Sequence, residues 1–335
     1  MIKEMNFLLT EMTASRYLIP LIIEGNKRGI KSKVFIKKNI KYNNVYAYLD
    51  VLKEESIKYN FDIYEIDKVS EHPGLTFMVE GCGVEYLNDS HRKITFTSMT
   101  DFCVLYQDYI DKVDNVIFPS KFFAEYYKEP QLYMDGRKMG NTVSDKNLYL
   151  GSPKYDLELD AQSIKKKYGL SDNKKALVVF PKLEFVHSSD VSKIYSFLKK
   201  MNYEIIVKAR GKDHVPTNLM GDKCFLDFSW YPHSTIELIN VCDFIVNFGS
   251  TVVKECIMDH TPLVNFEIKP YKHLSFLFDG KYCKELTLDI DYDIFKQSVA
   301  DVLKCDNSEY KNCINKYLFD KNQVSFRILN HLGVT

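Results

Sequence analysis

Along this chain, short apolar runs alternate with stretches in which apolar residues recur at helical spacing. Residues 6–10, from Asn6 through Phe7, Leu8 and Leu9 to Thr10, read as a strand. Residues 17–29 carry a helical pattern that stops at Gly29. Residues 33–36 read as the next strand. This β-α-β opening implies a right-handed crossover and a parallel sheet. The alternation continues with a helix near 45–59, strands at 61–66, 75–79 and 93–97, a helix near 102–112, a strand at 115–118, a short helix capped by Ser120, and a strand at 147–150. Residues 130–145, 151–156 and 170–174 are punctuated by Gly, Pro, Asp, Asn and Ser, and the domain junction is expected near 150–172. The second half repeats the pattern. Strands are expected at 175–180, 203–208, 223–227, 243–247 and 262–266, and helices at 189–201, 234–241 and 249–258. Residues 291–333 read as largely helical. The expected architecture is two Rossmann-like, doubly wound α/β domains facing a central cleft. Ligands of such sheets bind at the carboxyl ends of the strands, and the interdomain cleft is the expected site.

Composition narrows the partners. At about 100–200 residues per domain, 335 residues agree with two domains. Lys plus Arg (45) balance Asp plus Glu (45), which argues against a broad basic surface and against nucleic acid as a partner. The eight cysteines contain no C-x-x-C pair, so a zinc ribbon or thioredoxin-type motif is not expected, and the thiols read as buried and reduced. The first residues read as a strand rather than a signal peptide, and no apolar run approaches the ~20 residues of a membrane span. The expectation is a cytoplasmic protein with room for peripheral membrane association.

Three segments carry candidate chemistry. Residues 243–255 run from a buried strand through Asn247 and Gly249 to the hydroxyls of Ser250 and Thr251, where a helix is expected to begin. Free N–H groups and the helix dipole favour an anion there. Glu255 lies one turn deeper, placed to accept sugar hydroxyls; an ordinary capped helix is the plainer alternative. Residues 205–216 place Lys208, Arg210, Lys212 and His214 just past a strand end, where cations suit a diphosphate. Lys182, after the strand at 175–180, is positioned to approach the same ligand. In the first half, Glu11, Glu80 and Asp101 are strand-end carboxylates chemically suited to proton transfer; His72 and His91 are less well placed. Asp289 and Asp291 form a D-x-D, but their position before a helix favours capping over metal binding. G-x-G-x-x-G, Walker, H-E-x-x-H and G-x-S-x-G motifs do not occur.

The order of these segments resembles the nucleotide-sugar-binding half of GT-B fold glycosyltransferases. The nearest types are the capsule and teichoic-acid transferases, the Kdo and sialic-acid transferases, and the sugar-nucleotide 2-epimerases. The segments that carry the resemblance are Val207–Arg210, Thr235–Asp243, Gly249–Glu255, His260–Val264, the junction Asn147–Asp156 and the tail Tyr317–Leu329. A histidine-proline motif of those families is here Ala209-Arg210, and their double serine is Ser250-Thr251. The resemblance implies an acceptor-binding domain over 1–155, a nucleotide-sugar-binding domain over 156–320, and a C-terminal helix over 321–335 that crosses back to the first domain. It implies a sugar transfer from a nucleotide sugar to a glycan, lipid-linked or other hydroxyl acceptor, with no cofactor and no essential metal. Lys182, Lys208, Arg210, Gly249, Ser250, Thr251 and Glu255 would hold the donor. A 2-epimerase and a catalytically silent glycan- or partner-binding protein are the alternatives.

Overall fold

A computed structural model describes residues 2–37, 45–97, 105–106, 109, 111–126, 132–134, 137–140, 144–180, 188–209, 215–226, 231–266, 275–317 and 323–335. The chain divides into two compact units. One is Met1–Leu157 with Lys316–Thr335, and the other is Glu158–Asn315.

The first unit is built on a seven-stranded sheet of β1 (Glu4–Leu9), β2 (Lys31–Ile36), β3 (Asp62–Glu65), β4 (Gly74–Val79), β5 (His91–Phe96), β7 (Asn115–Phe118) and β10 (Asn147–Tyr149). Their order is β10-β7-β5-β4-β1-β2-β3. Every pairing is parallel. Helices α1 (Ser15–Lys27) and α2 (Val45–Tyr59) connect the first three strands, and α3 (Lys121–Tyr126) follows β7. The central strands are apolar on both faces because both are covered. Phe7, Phe77 and Phe96 stack across β1, β4 and β5 with centroids 5.3 and 6.1 Å apart, all 1% exposed or less. Ser120 caps α3 as its sequence predicts, its Oγ accepting from the Phe123 amide at 3.3 Å.

Two expectations fail in this unit. Leu105–Tyr106 is a strand, β6, where a helix near 102–112 is expected. Within the punctuated segment 130–145 lie β8 (Leu132–Met134) and β9 (Arg137–Gly140). The three form an antiparallel sheet in the order β6-β9-β8. Pairing with a segment more than thirty residues away overrides the local pattern at 105–106.

The second unit carries a six-stranded, wholly parallel sheet of β11 (Lys175–Val179), β12 (Glu204–Lys208), β13 (Lys223–Phe225), β14 (Phe244–Asn247), β15 (Leu263–Phe266) and β16 (Cys283–Leu286). The order is β13-β12-β11-β14-β15-β16. The helices are α4 (Ala161–Tyr168), α5 (Ser188–Lys200), α6 (Ser234–Asn240), α7 (Val253–Asp259), α8 (Tyr292–Val302) and α9 (Asn307–Tyr317). Val178, Ile194, Val207, Phe244, Phe266 and Phe295 centre one core face. Helix α4 and strand β16 are not anticipated by the sequence reading. Asp160 caps α4 by accepting from the Ser163 amide at 3.0 Å. Asp291 caps α8 by accepting from the Ile294 amide at 2.8 Å, so the second acid of the D-x-D caps a helix, as its position predicts.

The C-terminal helix α10 (Val324–His331) packs against α1 within the first unit. Arg28 of α1 donates to Asn330 Oδ1 at 2.8 Å and to the Val334 carbonyl at 2.5 Å, and its guanidinium lies 4.9 Å over the Phe326 ring. Among the described residues no helix is long and apolar enough to cross a membrane.

Candidate functional site

All strands of a parallel sheet point the same way, so their carboxyl ends share one edge. In the first unit that edge carries Glu11 after β1, Lys37 after β2 and Glu80 after β4. Glu11 is exposed and begins the turn into Met12–Ala14, with its carbonyl accepting from the Ala14 amide at 3.0 Å. Glu80 is half-buried and holds a left-handed backbone, φ 56°. Only residues pinned by their surroundings keep that conformation when they carry a side chain. The pins are visible. The Glu80 amide donates to the Phe96 carbonyl and the Gly81 amide to Thr95 Oγ1, each at 2.7 Å. Gly81 itself has φ 70°, and a Cβ there would lie 2.7 Å from Tyr109 Cβ, so only glycine fits.

Electrostatics tie these residues together. Burial pushes the Cys82 thiol up to about 12, the carboxylates of Glu80, Glu11 and Glu85 push the same way, and Lys37 opposes them. The edge is therefore acidic, and Cys82 stays a thiol at neutral pH rather than a nucleophilic thiolate. His72 and His91 stand at the opposite, amino edge, before β4 and at the start of β5. Asp101 lies outside the described residues.

In the second unit one lateral row crosses the carboxyl edge. Lys208 of β12, Val179 of β11, Asn247 of β14, Asn265 of β15 and Glu285 of β16 are partners in register. Two strand spacings separate Lys208 from Asn247, about 10 Å. Lys208 is 4% exposed and its ammonium donates to the Ala209 carbonyl at 2.7 Å. Lys182 and Arg210 lie outside the described residues.

The turn after β14 differs from its expected form. The helix α7 begins at Val253 rather than at Gly249. Gly249 (φ 66°) is exposed, and Ser250 and Thr251 are half-buried in the turn before the helix. The Gly249 amide donates to Asn265 Oδ1 at 3.2 Å, and the Ser250 amide to Asn247 Oδ1 at 3.1 Å. These two N–H groups are consumed inside the protein. Glu255 lies on α7, 6% exposed, beside a fully buried Lys254. The charge of Glu255 adds to burial in pushing up the Cys256 thiol.

Sequence reasoning passed over Asn247 and Asn265. Asn247 reads as the end of an apolar strand and Asn265 as one polar residue in another. An Asn at the end of each of two consecutive strands, eighteen residues apart, is the signal that marks them. Among the described residues no group of three or more His, Cys, Asp or Glu side chains is arranged to hold a metal ion.

No protein-family model and no curated protein matches the sequence. Solved structures do match the fold. The chain is similar to a putative UDP-N-acetylglucosamine 2-epimerase from Listeria monocytogenes, with TM-score 0.63 and 10% identity over 99% of this chain and 96% of that one. It is similar to the glycotransferase of kitacinnamycin, with TM-score 0.58 and 9% identity over 98% of both chains. It is also similar to a variant of the wall teichoic acid polymerase TagF soaked with CDPG, with TM-score 0.61 and 13% identity over 99% of this chain and 88% of that one. The two-sheet α/β fold is the one these GT-B neighbours share, as the resemblance implies.

Proposed function

We propose that the protein is a glycosyltransferase that moves a sugar from a nucleotide sugar to a hydroxyl acceptor. The observation that carries the reading is the placement of its polar candidates. Among the described residues Glu11 and Glu80 in one unit, and Lys208 and the Gly249–Thr251 turn in the other, stand at the carboxyl edge of a parallel sheet, in a chain whose whole length follows the fold of sugar-nucleotide enzymes. Lys208 and the hydroxyls of Ser250 and Thr251 meet the donor phosphates, with Lys182 and Arg210 completing the set by their sequence positions. Glu255 accepts from sugar hydroxyls and Gly249 lets the turn approach the ligand. The acceptor oxygen attacks the anomeric carbon and its proton passes to a carboxylate of the first unit, Glu80 or Glu11, with Asp101 the third candidate. The bond from that carbon to phosphate breaks, and its electron pair leaves with the nucleoside phosphate. Lys208 and the two hydroxyls meet the developing charge, so the reaction needs no metal ion.

One observation favours a second reading. The charges of Glu80 and Glu11 both act on Cys82, and two carboxylates on one edge also suit proton removal and return in an epimerase. Incubation with nucleotide sugars and no acceptor separates the two. Isomerised sugar identifies the epimerase, and an unchanged donor favours the transferase.

The first test is a thermal-shift panel of UDP, GDP, CMP and CDP, with and without Mg²⁺. Ligand at 100 times its dissociation constant stabilises by about 2.7 kcal/mol. A metal-independent shift with one nucleotide is expected, and no shift with any of the four points instead to a silent binding protein. Replacing Ser250 by Ala together with Thr251 by Val is expected to weaken nucleotide binding by about 10–100-fold. Unchanged affinity removes the phosphate role of this turn.

A further inference from the structure

The three strand ends β14, β15 and β16 carry a continuous chain of hydrogen bonds from the protein surface to the Gly249–Thr251 turn. Asn265 Nδ2 donates to Glu285 Oε1 at 3.2 Å. Asn265 Oδ1 accepts from Asn247 Nδ2 at 2.8 Å and from the Gly249 amide at 3.2 Å. Asn247 Nδ2 donates a second time, to the Ser250 carbonyl at 2.9 Å, while its Oδ1 accepts from the Ser250 amide at 3.1 Å. The Asn247 side chain thus grips both backbone groups of Ser250. Asn247 is fully buried and Asn265 is 3% exposed, so breaking any of these bonds strands a polar group away from water.

The chain has a direction. An amide side chain has one accepting end and one donating end, and either end can face a neighbour. An ionised carboxylate only accepts. Glu285 therefore draws the NH₂ end of Asn265 toward itself. That turns Asn265 Oδ1 inward, toward Asn247 and Gly249. The inward oxygen in turn draws Asn247 Nδ2, which leaves Asn247 Oδ1 facing the Ser250 amide. The direction is fixed from both ends: the Gly249 and Ser250 amides only donate and demand the two side-chain oxygens, and the Glu285 carboxylate only accepts and takes the outer NH₂ group. Glu285 itself is exposed, unlike the two asparagines.

We propose that Glu285, Asn265 and Asn247 form a positioning relay that holds the Gly249–Thr251 turn in the geometry that presents Ser250 and Thr251 to the phosphate of the nucleotide, with Glu285 anchoring its outer end. The ligand clause rests on the function proposed above. None of the three residues touches the phosphate; they act through the turn.

The exposed end makes the relay testable without disturbing the core. In Glu285→Lys the new side chain only donates, so Asn265 Nδ2 loses its acceptor and the relay loses its outer anchor. Calorimetric titration with UDP, CDP, GDP and CMP is compared across wild type, Glu285→Lys, Glu285→Gln and the exposed neighbour Lys284→Ala. Amide hydrogen exchange at Gly249 and Ser250 is followed in parallel. Glu285→Lys is expected to weaken the bound nucleotide about 5–20-fold and to speed exchange at both amides, with the melting temperature lowered by only a few degrees. Glu285→Gln, whose amide oxygen still accepts, is expected to recover most of the affinity. Lys284→Ala is expected to match wild type. Wild-type affinity and wild-type exchange in Glu285→Lys overturn the relay while leaving the proposed function standing. A wild-type protein that binds none of the four nucleotides overturns that function and the ligand clause with it. Faster exchange in Glu285→Lys then still shows that the relay holds the turn.

Discussion

Two residues show how a single position is set by its surroundings. Glu80 keeps a left-handed φ of 56° because its amide and that of Gly81 are tied to the neighbouring strand. For a residue with a side chain this conformation costs about 1–2 kcal/mol. Glu80→Gly is expected to raise unfolding stability by about 0.5–1 kcal/mol, read by denaturant titration, and a parallel activity assay selects among the proposed bases, since turnover is lost only where Glu80 takes the proton. Glu80→Gln, with the same backbone strain, is expected to match Glu80→Gly in turnover without gaining stability. His91 is 4% exposed, with Nδ1 3.0 Å from Thr76 Oγ1, which also accepts from Asn6 Nδ2. Burial, then the charges of Lys93 and His72, hold its pKa below the ordinary histidine value. Its contribution is complete above the unfolded pKa of about 6.5 and is lost as pH falls from there through the lowered folded pKa, because only the unfolded chain takes up the proton at first. The loss approaches about 1.4 kcal/mol per pH unit within that window. Denaturant midpoints at pH 7.5 and 5.5 are expected to differ more in wild type than in His91→Phe.

At the scale of elements, caps written in the sequence place helix starts well. Asp291 was expected to cap rather than bind metal, and it accepts from the Ile294 amide. Asp291→Ala is expected to cost about 1 kcal/mol of stability and to leave nucleotide affinity unchanged in titration. A loss of binding restored by divalent cation instead returns the D-x-D to the site. Helix α7 shows the limit of local reading. Ser250 and Thr251 look like the start of a helix, but Gly249 is left-handed at φ 66°, Asn247 and Asn265 hold the turn through the Ser250 and Gly249 amides, and the helix begins only at Val253. Asn265 lies on another strand, out of reach of any local pattern. Strands β8 and β9 were hidden for a different reason. Asp135 and Gly136 stand between them as a two-residue Asp-Gly pair, the hairpin signature. That signature is outweighed by the surrounding Gly, Asp and Asn, and the flanking runs are too short to show alternation. Strand β16 escapes notice because its two central residues are charged and exposed at the sheet edge.

For the molecule as a whole, the chain contributes to the first unit from both of its ends. Val324, Ile328, Leu329, Leu332 and Val334 are at most 3% exposed. At about 1.5–3 kcal/mol each, their burial is worth about 7–15 kcal/mol, comparable to the whole stability of a typical domain. A chain ending at Asn315 is therefore expected to lose the first unit. Amide protection should vanish in β1, β2 and β4 while β11, β12 and β14 stay protected in the same hydrogen-exchange experiment. Equal protection in both units assigns the tail a peripheral role.

The sequence by itself determined the class of fold. Buried parallel strands must be continuous apolar runs and their connecting helices must be amphipathic, so alternation and period are written locally. It also marked the strand ends at Glu11, Glu80, Lys208 and Ser250, because chemistry in such sheets gathers where apolar runs stop. Tertiary structure decided what surrounds each of those groups. The register that aligns Lys208, Asn247, Asn265 and Glu285 in one row, and the strained loop that sets Glu80 beside Cys82, come from pairings between distant segments. Hydrogen-bond direction in a buried network is likewise a property of neighbours in space, which no single run of residues contains.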